Sequence, residues 1–140
     1  MVSMSSKEHQ MQLNALAKRL EEDGIEITHI DIDGRPECFE GKYRNLPTPH
    51  EMSGHVPDML GRKDNLVHIG ESKIDIYGDS NMDSQLKVFS NRVMRDTNKD
   101  LPLHIVIPEH LKPDLNKKLL ELRLSDKINS GLIKIWTYNS

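Results

Sequence analysis

The chain has 140 residues, a formal net charge of −3, 36% hydrophobic and 4% aromatic residues. That suffices for one α/β domain spanning residues 1–140 with a thin core of Leu, Ile, Val and Met, and is too short for two ordinary domains. No apolar run approaches the roughly 20 residues of a membrane span, the opening residues lack a leader's apolar stretch, and the single cysteine, Cys38, has no internal disulfide partner, so a soluble, cytoplasmic protein is expected.

A first helix begins after Ser5 or Ser6 as N-cap, with Met11, Leu13, Leu16, Ala17 and Leu20 compatible with one apolar face and Gly24 at its C-terminal boundary. Residues 25–32 carry Ile25, Ile27, Ile30 and Ile32, a β-branched strand with a break in alternation, and Asp33-Gly34 signals a turn. Residues 35–56 hold three prolines and read as a loop or short hairpin over one edge.

Residues 56–60 form a short expected strand, 62–65 a turn, and 66–77 an extended segment carrying Val67, Ile69, Ile74 and Ile76. Asp83 or Ser84 can cap a second helix bearing Leu86, Val88, Phe89, Val93 and Met94. Residues 101–107 read as a strand, 108–124 as a third helix, and 132–138 as a last strand after Gly131. The expected order is αβββαβαβ, a mixed central sheet flanked by helices.

One constellation carries chemistry. Pro57-Asp58 is followed, across the 62–65 turn, by Glu71-Ser72-Lys73. In an antiparallel hairpin the two carboxylates come to one end of the sheet. Side chains alternate along a strand, so Lys73 shares the face of Glu71 and Ser72 points the other way. Hard carboxylate oxygens suit Mg²⁺, and a nearby ammonium can orient a water and stabilise charge on a phosphate.

Pro57-Asp58 and Glu71-Ser72-Lys73 resemble the PD-(D/E)xK signature of metal-dependent nucleases. With the first helix, its Glu8-His9 pair and the αβββαβ order, the chain is similar to small archaeal and bacterial members with a restriction-endonuclease-like core. The resemblance implies a DNA endonuclease that uses Mg²⁺, with Mn²⁺ as substitute. Asp58 and Glu71 would be metal ligands, Lys73 the catalytic ammonium and Glu8 a further catalytic acid. His9, Gln85, Arg92 and Arg95 would contact DNA, Gln85 resembling the glutamine-led helix of RecB-like nucleases. A homodimer is expected by the same analogy. The long 35–56 loop and the missing basic excess depart from archaeal junction resolvases.

Each residue has a plainer role. Glu71 and Lys73 could pair on a solvated strand, Asp58 could open a turn, and Glu8 could simply favour a helix dipole. His50, Glu51 and His55 lack the His-Glu-x-x-His spacing of zinc hydrolases. Asp31 and Asp33 read first as turn residues. The competing functions are a nucleic-acid-binding or assembly protein of the same fold without turnover, and an interaction module whose charged motif is accidental.

Overall fold

The structure is a computed structural model and describes residues 6–139. Of the two N-cap candidates, Ser5 lies outside this range, whereas Ser6 caps α1 (Lys7–Glu22), its side chain accepting from the His9 amide at 3.0 Å. This satisfies one of the amides that a helix start leaves without an intrahelical partner. Gly24, at φ +84°, turns the chain out of the helix.

Three strands follow: β1 (Glu26–Ile30), β2 (Met59–Lys63) and β3 (Leu66–Ser72). Then come α2 (Met82–Ser90), β4 (Leu103–Pro108), α3 (Lys112–Glu121), α4 (Ser125–Asn129) and β5 (Ile133–Tyr138). The strands form one sheet in the order β1-β2-β3-β4-β5, with β1, β2 and β3 antiparallel and β3, β4 and β5 parallel. The expected α/β class and mixed sheet flanked by helices are present. The order differs by one short helix, α4, between α3 and β5.

The irregular alternation near Thr28 is a register shift between Ile27 and His29. The second strand runs over Met59–Lys63 rather than the expected 56–60, and the turn after it is confined to Asp64 and Asn65, both at positive φ. That conformation suits a two-residue hairpin connection. The extended 66–77 segment ends as a strand at Ser72, and the expected 108–124 helix is a 3-10 turn (Glu109–Leu111) followed by α3. The 35–56 loop is built of 3-10 turns at Pro36–Cys38 and Gly41–Tyr43 and a Met52–His55 bridge. Phe39 and Tyr43 plug it into the core against α1.

Two apolar layers sandwich the sheet. Leu13, Leu16, Ala17 and Leu20 of α1 pack with Ile27, Met59 and Val106 on one side. Leu86 and Phe89 of α2 and Leu115 and Leu119 of α3 pack with Ile69, Ile105 and Ile133 on the other. The α1 layer is tight at Gly70, where an added Cβ would lie 2.5 Å from Met59 Cε and 3.3 Å from both Leu16 Cδ2 and Met59 Cβ, two side chains that are fully buried and have little room to give way. Gly70→Ala is therefore expected to cost about 1–3 kcal/mol, the scale of overpacking, read as a lower urea midpoint at unchanged m-value. Among the described residues no helix is long and apolar enough to cross a membrane.

Candidate active site

The β2–β3 hairpin determines the site. Met59 pairs with Gly70, so the next positions outward, Asp58 and Glu71, meet at the carboxyl end of β3. They clasp each other through the backbone. The Asp58 amide donates to Glu71 Oε2 at 2.6 Å, and the Ser72 amide donates to Asp58 Oδ2 at 2.9 Å. Lys73 follows directly, its amide bound to the Val106 carbonyl of β4. Its Nζ lies 3.8 Å from Glu71 Oε1 and 3.4 Å from Asp79 Oδ2, and it donates to Gln85 Oε1 of α2. The alternation inferred from sequence is visible here. Lys73 and Glu71 face α2, whereas the Ser72 hydroxyl faces α1 and donates to the His9 carbonyl at 2.8 Å.

Helix α1 supplies His9 rather than Glu8. His9 Nε2 lies 3.2 Å from Asp58 Oδ2, and Gln10 Nε2 lies 3.3 Å from His9 Nδ1. An amide nitrogen only donates, so in the neutral ring His9 Nδ1 accepts and Nε2–H points at Asp58. Glu8 is exposed and lines a separate depression with Gln12, Glu109 and His110. One helical residue is a rotation of about 100°, enough to exchange the two side chains between site and solvent.

Two further residues hold the site, and no motif in the sequence marks them. Gln12 is fully buried, and its Nε2 donates to Ser72 Oγ and to the Lys73 carbonyl, each at 3.1 Å. It ties α1 to the end of β3. Its signal was a polar side chain next to Leu13 and four residues before Leu16 on an otherwise apolar face. Asp79, in the loop before α2, supplies another acceptor to Lys73.

Of the remaining candidates, Gln85 is at the site, but Arg92 and Arg95 are not on α2, which stops at Ser90. Arg92 turns inward with a buried Nε that has no hydrogen-bond partner among the described residues, and Arg95 is exposed. Val93, expected on the helix, instead bridges to Asp100. Asp31 is tied to the site by its amide, which donates to the Asp58 carbonyl at 2.8 Å. The loop histidines separate: His55 contacts Ser84, and His50 packs edge-on against His29.

Electrostatics divides the two carboxylates. For Asp58, burial pushes the carboxyl up, but the His9 hydrogen bond and charge, the Ser72 amide and Lys73 outweigh it and hold it below the ordinary range. For Glu71, burial and then the charge of Asp58 push the carboxyl well above that range, and Lys73 offsets this only in part. His9 is lowered by burial but raised more by Asp58, so it stands above its usual value. Burial and repulsion from Asp58 and Asp33 also raise Asp31.

The donor set fits a hard divalent cation. Two carboxylates that repel each other inside the protein are what such an ion would relieve. Among the described residues no three His, Cys, Asp or Glu side chains form a closed metal-holding group. Mg²⁺ is commonly held by one or two carboxylates together with waters and substrate phosphate, so Asp58 and Glu71 are a sufficient protein contribution. Beside them lies a cleft of about 190 Å³ lined by His9, Lys73, Ile74 and Asp79. A larger cavity, about 640 Å³, lies between α1 and β5.

The chain matches no family model, no curated protein and no solved structure.

Proposed function

We propose that the protein is a metal-dependent DNA endonuclease of the PD-(D/E)xK type, with a restriction-endonuclease-like core. The observation that carries this reading is the convergence of Asp58, Glu71 and Lys73 at the carboxyl end of β3. Asp58 and Glu71 would hold Mg²⁺, or Mn²⁺ in its place. The ion supplies polarisation of the phosphoryl oxygen and a more acidic bound water.

The protein's own groups do the rest. Lys73, fixed by Gln85, Asp79 and Glu71, places its ammonium where charge builds on the phosphate. Its remaining role is to orient the attacking water. His9 and the Ser72 amide hold the Asp58 carboxylate. Gln12 and the Ser72 hydroxyl fix the backbone that carries Glu71 and Lys73. DNA is the proposed partner, and a second copy of the chain would let two sites address two strands.

Metal binding tests the reading directly. Millimolar Mg²⁺ or Mn²⁺ is expected to raise the melting temperature of the wild type, because a ligand of the folded state shifts unfolding by mass action. At about 100 times the dissociation constant the gain is roughly 2.7 kcal/mol. Asp58→Ala should abolish the shift. Incubating linear and branched DNAs with Mg²⁺, Mn²⁺ or EDTA reads the activity. The proposal fails if no DNA is cut with either metal and the melting temperature ignores both.

A further inference from the structure

On the α1 side of the sheet, opposite the face that carries Glu71 and Lys73, three rings run across β3, β4 and β5. Trp136 Nε1 donates to His104 Nδ1 at 3.1 Å, and His104 Nε2 lies 2.9 Å from His68 Nδ1. Ring centroids are 6.2 Å apart for His104 and Trp136 and 5.2 Å apart for His68 and His104, both stacked.

The proton positions follow from one fact. An indole N–H can only donate. His104 Nδ1 must therefore accept, and neutral His104 carries its proton on Nε2. That proton is donated to His68 Nδ1, so His68 in turn carries its own on Nε2. Neither ring gains a second proton without breaking a bond of the relay. In agreement, burial, His68 and Lys134 bring His104 down to about 3, and burial with Lys63 and Lys134 lowers His68. The relay thus presents a fixed N–H donor at its outer end.

A cavity of about 460 Å³ adjoins that end, lined by His68, His104, Lys63, Lys134 and Asp23. Among the described residues Lys63 spends one N–H on the Asp23 carbonyl at 2.8 Å and retains two. Lys134 lies over the Trp136 ring, 5.7 Å from its centroid. Asp23 is the acidic residue of the lining, and its contact there is through its backbone.

The geometry points to an anion site here that binds a tetrahedral phosphate group, with His68 Nε2–H as oriented donor and Lys63 and Lys134 as countercharges. A structural relay would need neither lysine. Two ammonium groups beside a neutral, proton-fixed imidazole form a donor set with no competing side-chain acceptor on the His68 ring among the described residues, which suits an oxyanion. The phosphate could be free or part of a polynucleotide backbone. The inference stands apart from the nuclease reading, since it uses none of the residues of that site.

The chain's one tryptophan is Trp136, so its emission reports on the relay. Wild-type protein would be titrated with inorganic phosphate at constant ionic strength, with EDTA present to remove metal from the other site. A parallel titration would use a DNA duplex. Saturable change in emission with phosphate is expected, weakened about tenfold or more in His68→Phe and in the exposed-residue variant Lys134→Met, the loss of one charge-assisted contact. A change with phosphate alone identifies a free-anion site. A change with duplex as well, equally weakened by both variants, identifies a backbone contact. No saturable change with either titrant, or a change untouched in Lys134→Met, overturns the proposal. These outcomes are independent of whether the protein cuts DNA with Mg²⁺.

Discussion

Glu71→Gln is expected to abolish metal-dependent cleavage and to stabilise the protein increasingly as pH rises. The rate loss should reach at least about a thousandfold, which roughly 4 kcal/mol of lost transition-state stabilisation produces. The amide keeps the shape of the carboxylate and a carbonyl oxygen that can still accept the Asp58 amide, so the hairpin clasp survives. What it loses is the charge. Burial and Asp58 raise Glu71 in the folded state. Its contribution to stability is complete below the ordinary value of 4.5 and is lost as pH rises through the raised folded value. Gln remains neutral throughout, so variant and wild type should melt alike in acid and diverge above it. Asp58 runs in the opposite sense: its stabilisation is present above 3.8 and is lost as pH falls through its depressed folded value. Melting curves from pH 4 to 8, without divalent ions, would check the sign. A Glu71→Gln variant that is destabilised equally at every pH would mean that the residue serves packing rather than charge.

The triad was readable because it rests on short-range rules. Alternation along β3 puts Glu71 and Lys73 on one face, and the Asp64-Asn65 turn leaves little freedom in where Asp58 arrives. The helix contribution was readable only to within one residue. Glu8 and His9 share a turn, and which of them meets Asp58 depends on how α1 rotates against Leu16 and Met59, a tertiary matter. The apolar pattern through Val93 and Met94 continues past the helix end at Ser90, so periodicity alone puts Arg92 and Arg95 on a helix that the fold has already ended. Those residues instead turn back through the Val93–Asp100 bridge. The polar-looking 35–56 segment hid two core residues, Phe39 and Tyr43, since isolated aromatics between prolines carry no period. The His68–His104–Trp136 relay was invisible for a stronger reason. Its members lie 36 and 32 residues apart and meet only through parallel strand register.

Lys73→Met is expected to lower the single-turnover cleavage rate by about a hundredfold or more while changing DNA affinity little. Methionine keeps most of the apolar stem and removes the ammonium. A preorganised donor aimed at developing charge is worth that much when it is deleted. The structure supplies the preorganisation: Lys73 is 8% exposed and its Nζ is shared among Gln85, Asp79 and Glu71. Its loss has a second consequence. Lys73 partly offsets the upward push on Glu71, so Glu71 should ionise less readily in the variant. Cleavage must therefore be compared at saturating metal, where occupancy is equal and only the ammonium differs. Arg95→Ala is the control, because this exposed cation lies outside α2. Loss of a phosphate contact at that position would weaken binding across all sequences and reduce its salt dependence without altering the rate at saturating DNA. The two substitutions thus separate along different axes, rate for Lys73 and affinity for Arg95. If Lys73→Met matched the wild-type rate at saturating DNA and metal, the buried ammonium would be a structural partner of Glu71 and Gln85, and the site would bind DNA without cutting it.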